Sequence, residues 1–330
     1  MKTSRPKSRL SSRRQESGIS IIGAGRLGTA LGLALHDAGY PIELVVTKRP
    51  ASAHRAAKAI GANTQGVSAA KLEQSHAGQT KRLIGSSVIL IATPDDVIST
   101  VAEQLAAIFA STSASLEAKI SRPRHTALHT SGALSSAVLR PLRSLGFATG
   151  SLHPLVSVSD PLSGTRSFTK SFFCVEGDIP AVRTATSMVR ALGAETFTID
   201  PDSKALYHAA AVMASGNVIA LFDIALDMLE RCGLSRGLSH RVLLPLLESS
   251  VRNLEGTNSF SALTGPFARG DITTVQKHLT AMESRNLRPA LAAYLALGAR
   301  SVALARKRKP RPAGLDRLAR LLSASAKESL

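Results

Sequence analysis

Gly23-Ala24-Gly25-Arg26-Leu27-Gly28 has the spacing G-x-G-x-x-G, and the chemistry such a run can do is to hold a phosphate. The first glycine permits a tight turn. The second lets an anion approach bare backbone, and the third lets the following helix pack close to its strand. The helix N–H groups and dipole then point at the phosphates. The motif is weak alone, but here it follows a β-branched run and opens a helical pattern, the context a dinucleotide site demands. About twenty residues on, where a carboxylate would bind the 2′-hydroxyl of an NAD ribose, stand Thr47, Lys48 and Arg49. Two cations and no acid suit a 2′-phosphate, so NADP is expected over NAD, although the same cations could simply coat a solvated loop. Thr93-Pro94 follows an apolar run and should line the crevice at a strand C-terminus, with Thr93 as a hydrogen-bonding group.

Proton chemistry has its best candidates at Lys204 and His208. Their i, i+4 spacing puts them on one helix face. A lysine there can donate a proton or hold a developing negative charge, and a histidine can exchange protons with it. An exposed lysine beside a packed histidine is the plain alternative. His129-Thr130-Ser131-Gly132 and His153-Pro154 each end an expected strand and should face the same crevice. There Ser131, Gly132 and His153 could meet a substrate carboxylate or carbonyl. Asn217 lies farther along the expected helix, either as a second polar point or as a core amide. Arg269, before Gly270-Asp271, could grip an anion, or stand exposed beside a helix cap. No metal is expected: His129, His153 and His208 would make three imidazoles, but no close ligand pair supports zinc. No G-x-S-x-G elbow supports a serine hydrolase.

The elements that must position these groups alternate. Strands are expected at 19–22, 42–47, 87–92, 125–129, 147–152, 172–175 and 195–199. Helices separate them, among them 27–38, 51–60, a helix opened by Pro94-Asp95-Asp96, 133–144 and 180–192. The polar stretch 111–123 is expected as a loop. This order makes an α/β fold with a doubly wound parallel sheet. After Asp200 the period changes to helices at 204–232, 238–253, 273–284 and 289–306, an all-α domain. The expected divisions are a basic tail 1–17, a dinucleotide-binding domain 18–200, a helical substrate and dimerisation domain 201–305, and a basic tail 306–330.

The chain has 330 residues, 44% hydrophobic and 19% charged, which suits two globular domains. Cys174 and Cys232 form no spaced pair, excluding a disulfide scaffold or thiolate zinc cage and fitting a reducing, cytoplasmic setting. The net charge of +18 is concentrated at the ends: residues 1–17 carry +5 and residues 300–330 carry +7, leaving +6 elsewhere. Such ends usually extend as solvated tails. With no Trp and 4% aromatics, a base-stacking surface is disfavoured and nucleic acid is not the expected partner. The apolar run 205–229 contains His208, Asn217, Asp223 and Asp227, costly in hydrocarbon. A buried helix and no membrane span are expected there.

Gly23-Ala-Gly25-Arg-Leu-Gly28, Ile91-Ala-Thr-Pro-Asp-Asp-Val-Ile98, His129-Thr-Ser-Gly-Ala133, Ser151-Leu-His-Pro-Leu155, Lys204-Ala-Leu-Tyr-His208 and Leu263-Thr-Gly-Pro-Phe-Ala-Arg-Gly-Asp271 occur in that order. Together they resemble a bacterial family of Rossmann-like proteins bearing a C-terminal domain of unknown function, grouped with the oxidoreductases. More distantly the chain resembles pyrroline-5-carboxylate reductase, ketopantoate reductase and the β-hydroxyacid dehydrogenases. The resemblance covers about residues 18–285. It implies a Rossmann domain joined to a helical domain like that of 6-phosphogluconate dehydrogenase, usually as a homodimer. In β-hydroxyacid dehydrogenases a lysine opening that first helix is the general acid/base, with an Asn one turn later. Lys204 matches the lysine, and His208 departs from the Asn. Two functions follow as expectations: an NADP(H)-dependent oxidoreductase acting on a small anionic carbonyl or imine compound, or a dinucleotide-binding sensor whose basic ends engage a partner.

Overall fold

A computed structural model describes residues 18–73, 77–115, 125–162 and 164–328. The chain forms two compact units, divided between Val212 and Met213. The expected N-terminal tail, 1–17, lies outside the described residues.

In the first unit, β1 (Ile19–Ile22) leads into α1 (Arg26–Asp37), then β2 (Ile42–Thr47), α2 (Pro50–Ile60), β3 (Gln65–Ser68), α3 (Ala69–Glu73) and α4 (Ala77–Gly85). There follow β4 (Val88–Ile91), α5 (Asp95–Ser115), β5 (Thr126–His129), a 3₁₀ turn (Ser136–Leu139) and α6 (Arg140–Arg143). The unit continues with β6 (Ala148–Pro154), β7 (Phe172–Gly177), α7 (Ile179–Ala191), β8 (Glu195–Phe197) and α8 (Lys204–Ala214). The eight strands form one sheet in the order β3-β2-β1-β4-β5-β6-β7-β8. Chain order reverses between β1 and β4, and that switch point opens a crevice at their C-terminal ends.

Every pair is parallel except β6–β7, which is antiparallel. The all-parallel expectation is corrected at that one ladder. Among the described residues the connection from β6 to β7 contains a short 3₁₀ turn (Gly164–Phe168) and no long crossover helix, so the chain can double back. Strand β3 has no expected counterpart because Gln65-Gly66-Val67-Ser68 is too short and polar to announce itself. The helix expected at 133–144 is a 3₁₀ turn and one turn of α6. The loop expected from residue 111 is instead helical through Ser115.

Both sheet faces are covered. Ile21, Leu31, Leu35, Val45, Leu90, Leu128, Phe168 and Phe173 pack on one face, and Leu44, Val46, Leu83, Ile89, Ile98, Leu105 and Leu139 on the other. Burial on both faces is why β1 and β4 read as continuous apolar runs.

The second unit is helical: α9 (Gly216–Glu230), α10 (Arg236–Arg252), α11 (Ser259–Ala262), α12 (Gly265–Arg269), α13 (Ile272–Ser284), α14 (Arg288–Ala305) and α15 (Leu315–Glu328). Its core joins Val275, Leu279, Leu291, Leu295 and Val302 to Leu315, Leu318 and Leu322. The expected tail at 306–330 is therefore corrected over its described part, 306–328: α15 is a core helix. Leu315, Leu318 and Leu322 recur at helical spacing on its inner face, while its basic residues Arg317, Arg320 and Lys327 are exposed.

The helix expected across 204–232 is two helices, broken at Ser215 (φ −128°, ψ −84°). Nor is it buried. Pro201–Glu230 is the one stretch among the described residues long and apolar enough to cross a membrane, with a mean hydropathy of 1.8 and only 6% of that window buried. Asp223, Asp227 and Glu230 on this stretch all pair with Arg236, and such charges are costly in hydrocarbon.

Candidate active site

The glycine turn lies at the switch point. Gly23 has φ +94°, and a Cβ there would strike the Ala92 and Thr93 backbone at 2.7–2.8 Å, so the β1 and β4 C-terminal loops touch through a residue that must lack one. A Cβ on Gly28 would lie 2.1 Å from the Gly23 carbonyl oxygen, so α1 packs against its own turn. Gly25 differs: a Cβ there would meet nothing within 4 Å. Gly25 is also the N-cap of α1, without a side-chain cap, and no acid sits in the first turn. Ala24, Arg26 and Leu27 complete that turn. Uncapped N–H groups beside open space are what an anion needs. Nearby, the Thr93 hydroxyl is buried without a partner. The residues present thus fit a dinucleotide: a cradle open only at its middle glycine, and a polar atom awaiting a bond. Pro94 precedes α5, whose first turn holds Asp95 and Asp96.

At the end of β2, the Thr47 hydroxyl donates to the Arg49 carbonyl at 2.7 Å, and Lys48 and Arg49 stand exposed. Arg49 is the N-cap residue of α2, which lacks a side-chain cap and has no acid in its first turn. Cations and a free helix N-terminus coincide there.

A polar cluster occupies the C-terminal ends of β5 and β6. His129 is level with Ser151, Ser151 with Glu176, and His153 with Cys174, so register puts all five side chains on one sheet face. Helix α8 brings Lys204, Tyr207 and His208 to them. Lys204 is 1% exposed, and its ammonium donates to Ser151 Oγ at 2.7 Å and to the Ser131 carbonyl at 3.1 Å. Burial lowers its pKa, while Glu176 and Asp95 oppose that shift. The Ser136 N–H and hydroxyl in turn donate to Glu176, at 2.6 and 2.9 Å. Burial first, and the Lys204 charge second, lower both His129 and His153 to about 4, so both are neutral imidazoles at pH 7. His153 Nδ1 is 2.7 Å from the Tyr207 hydroxyl, its ring centroid is 5.3 Å from that of His208, and His208 Nδ1 is buried without a partner. Gly132 lies between these rings: a Cβ there would be 2.2 Å from His208 Nδ1 and 2.8 Å from His153 Nε2.

Lys204, His208, Gly132 and His153 are therefore together, as are the glycine turn and Thr93. Ser131 is nearby, but its hydroxyl donates to Asp95 at 2.7 Å and accepts the Ala133 and Leu134 N–H groups, which makes it a brace of its turn and not a free substrate contact. Asn217 is on α9, past the break at Ser215, and is exposed in the second unit. Arg269 is exposed at the end of α12, and Asp271 caps α13 through Thr274. The expectation that Asn217 lies farther along the helix of His208 is corrected by the break, and its exposure also removes the core-amide alternative.

Sequence reasoning missed Tyr207, Ser151, Cys174 and Glu176. Only Tyr207 had a signal, standing three residues after Lys204 on its helix face. A surface hollow of about 960 Å³, lined by His36, Glu43, Asn63, Gln79 and Arg82, opens at the N-terminal ends of β2 and β3. That is the edge opposite the switch point, where ligands of open α/β sheets do not ordinarily bind. Among the described residues no three His, Cys, Asp or Glu side chains gather as a metal would require.

Strand order, glycine turn and switch point define a Rossmann-type dinucleotide fold. The sequence matches the Rossmann-like domain over residues 1–154 and the domain of unknown function DUF2520 over residues 171–301. The chain thus carries the Rossmann-like domain and the C-terminal domain of unknown function that its motifs led one to expect. No curated protein matches it. Among solved structures it resembles protein TM1727 of Thermotoga maritima (20% identity, TM-score 0.62, covering 87% of this chain and 98% of that one). It also resembles a protein described as a candidate NADP oxidoreductase of Bacteroides fragilis (19%, 0.60, 90% and 98%). A third is the pyrroline carboxylate reductase of Plasmodium falciparum with NADP bound (15%, 0.53, 88% and 99%). At these identities the likeness is one of fold.

Proposed function

We propose that this chain is an NADP(H)-dependent oxidoreductase acting on a small anionic carbonyl or imine compound. The observation that carries the reading is the glycine turn, closed on protein at Gly23 and Gly28 and open at Gly25, with the unpartnered Thr93 hydroxyl beside it. A bound dinucleotide would supply the hydride chemistry of its nicotinamide. The turn from Gly23 to Gly28 would hold the pyrophosphate on the head of α1. Thr93 and Pro94 would line the ribose crevice, and Thr47, Lys48 and Arg49 would meet the 2′-phosphate. Lys204 is 1% exposed, and as an ammonium it would stabilise charge developing on the substrate and serve as its general acid. His208, with a free Nδ1, is its exchange partner, and Gly132 and His153 face the substrate.

Calorimetry with both cofactors tests this. NADPH should bind more tightly than NADH, and replacing Lys48 and Arg49 together by Ala should weaken NADPH alone by about 1–3 kcal/mol. Equal affinity, or no binding of either, overturns the reading.

A second copy of the chain is the partner proposed for the uncovered apolar surface, which includes Ile219 (68% exposed), Leu246 (62%), Val242 and Leu238. Large apolar side chains left this exposed on α9 and α10 suit a self-association surface. Light scattering should give twice the chain mass at micromolar concentration, and a monomer would refute it.

A further inference from the structure

Tyr207 has no part in the roles above, yet its hydroxyl lies 2.7 Å from His153 Nδ1, with the two rings edge-on at 5.5 Å, and it also meets the Cys174 thiol. Cys174 is fully buried and directly opposite His153 on the antiparallel β6–β7 ladder, so both side chains share one face. The three groups form a line, Cys174, Tyr207, His153. At its far end the imidazole Nε2 faces Gly132, whose missing Cβ makes room for this nitrogen and for His208 Nδ1.

The protons in that line can be arranged in two ways. Burial raises the Tyr207 phenol and the Cys174 thiol, so both keep their protons, and His153 is neutral. In one arrangement the thiol donates to the phenol oxygen and the phenol donates to Nδ1. In the other, Nδ1–H donates to the phenol, and the phenol donates to sulfur. Sulfur is a weak acceptor and S–H a weak donor. The first arrangement sets the strong phenol donor on the strong imidazole acceptor and leaves the weak group only the weak bond. The groups around His153 are Lys204 and His208, and neither bonds Nδ1.

We propose that Tyr207 is a positioning residue: its hydroxyl, backed by the Cys174 thiol, donates to His153 Nδ1 and holds His153 as the tautomer that presents Nε2–H beside Gly132, as the hydrogen-bond donor to the substrate carbonyl oxygen. The identity of that acceptor rests on the oxidoreductase reading, but the tautomer is a property of the unliganded chain. His153 so held is a donor that orients and polarises the carbonyl. A neutral imidazole N–H is too weak an acid to release its proton, so proton delivery stays with Lys204 and His208.

The test is the imidazole nitrogen spectrum of the full-length protein, labelled with ¹⁵N-histidine and without cofactor, at pH 7, with His153 assigned from His153→Gln. The expected result is an unprotonated Nδ1 and a protonated Nε2. Tyr207→Phe should turn that single state into a mixture of the two tautomers. Cys174→Ala should leave the tautomer as in the parent chain, because the strong bond remains. A protonated Nδ1 in the unsubstituted protein overturns the proposal by itself, even if Tyr207→Phe does not fold, and so does an unchanged tautomer in Tyr207→Phe. None of these readouts needs NADPH, so failure to bind cofactor would remove the oxidoreductase reading and leave this result standing.

Discussion

Lowering the pH should destabilise the first unit through His129, by an amount that can be worked out. His129 is fully buried, its Nδ1 accepts the Ser131 N–H at 3.2 Å, and its pKa is about 4 against 6.5 unperturbed. The folded-state pKa is depressed, so between pH 6.5 and 4 the unfolded chain binds the proton and the folded chain does not. Stability therefore falls as pH falls across that window, and this group contributes no further loss below about pH 4. From pH 7 to 5.5 the loss from His129 alone is about 1 kcal/mol, and from pH 7 to 4.5 about 2.5 kcal/mol. His129→Asn keeps an acceptor near the Nδ1 position and removes the titration. The assay is urea unfolding followed by far-UV circular dichroism at pH 7, 5.5 and 4.5, for parent and variant. Every other titrating group cancels in their difference. At pH 7 the variant should be the less stable, having lost packing around the ring, and that deficit should shrink by about 2.5 kcal/mol on reaching pH 4.5. A difference that stays flat across the range would show that His129 titrates normally and that its burial against Lys204 has been misread.

Gly25→Ala should leave stability within about 0.5 kcal/mol yet weaken NADPH about tenfold or more in calorimetry, because the new Cβ meets no protein atom and stands where the pyrophosphate must come. Gly28→Ala should instead lower stability by about 1–3 kcal/mol in thermal melts, since its Cβ would collide with the Gly23 carbonyl; the opposite pattern refutes the assignment of the cradle. Lys204→Ala should lower kcat and kcat/KM together by about 100-fold, with NADPH affinity little changed, once a substrate is found by screening anionic carbonyl compounds. Near-normal turnover would move the acid role to His208. Leu318→Ala, at a fully buried position, should cost about 2–4 kcal/mol, and a chain ending at residue 305 should lose the helical unit's cooperative melt. An unchanged melt in either would return 306–330 to the status of a tail.

The glycine turn, the strands flanking it and the change to helices after Asp200 were legible in the sequence because each is a local property. Gly23 needs a positive φ, β1 and β4 are short runs buried on both faces, and the helices repeat at 3.6 residues, all within a dozen neighbours. The cations at Lys48 and Arg49 were legible for the same reason, through their fixed distance from the turn. What the tertiary structure decided involves partners distant in sequence. Ser151, His153, Cys174 and Glu176 share a face because β7 runs back along β6, and no local pattern announces an antiparallel strand among parallel ones. The sequence left Lys204 either in the site or exposed, and only its bonds to Ser131, 73 residues away, and to Ser151, 53 residues away, show it buried. The depressed histidines follow from that burial and cannot be inferred from their neighbours in the chain. Residues 306–330 show the same limit from the other side: net charge made them read as a tail, while three leucines, significant only once a core exists to receive them, make α15 part of the fold.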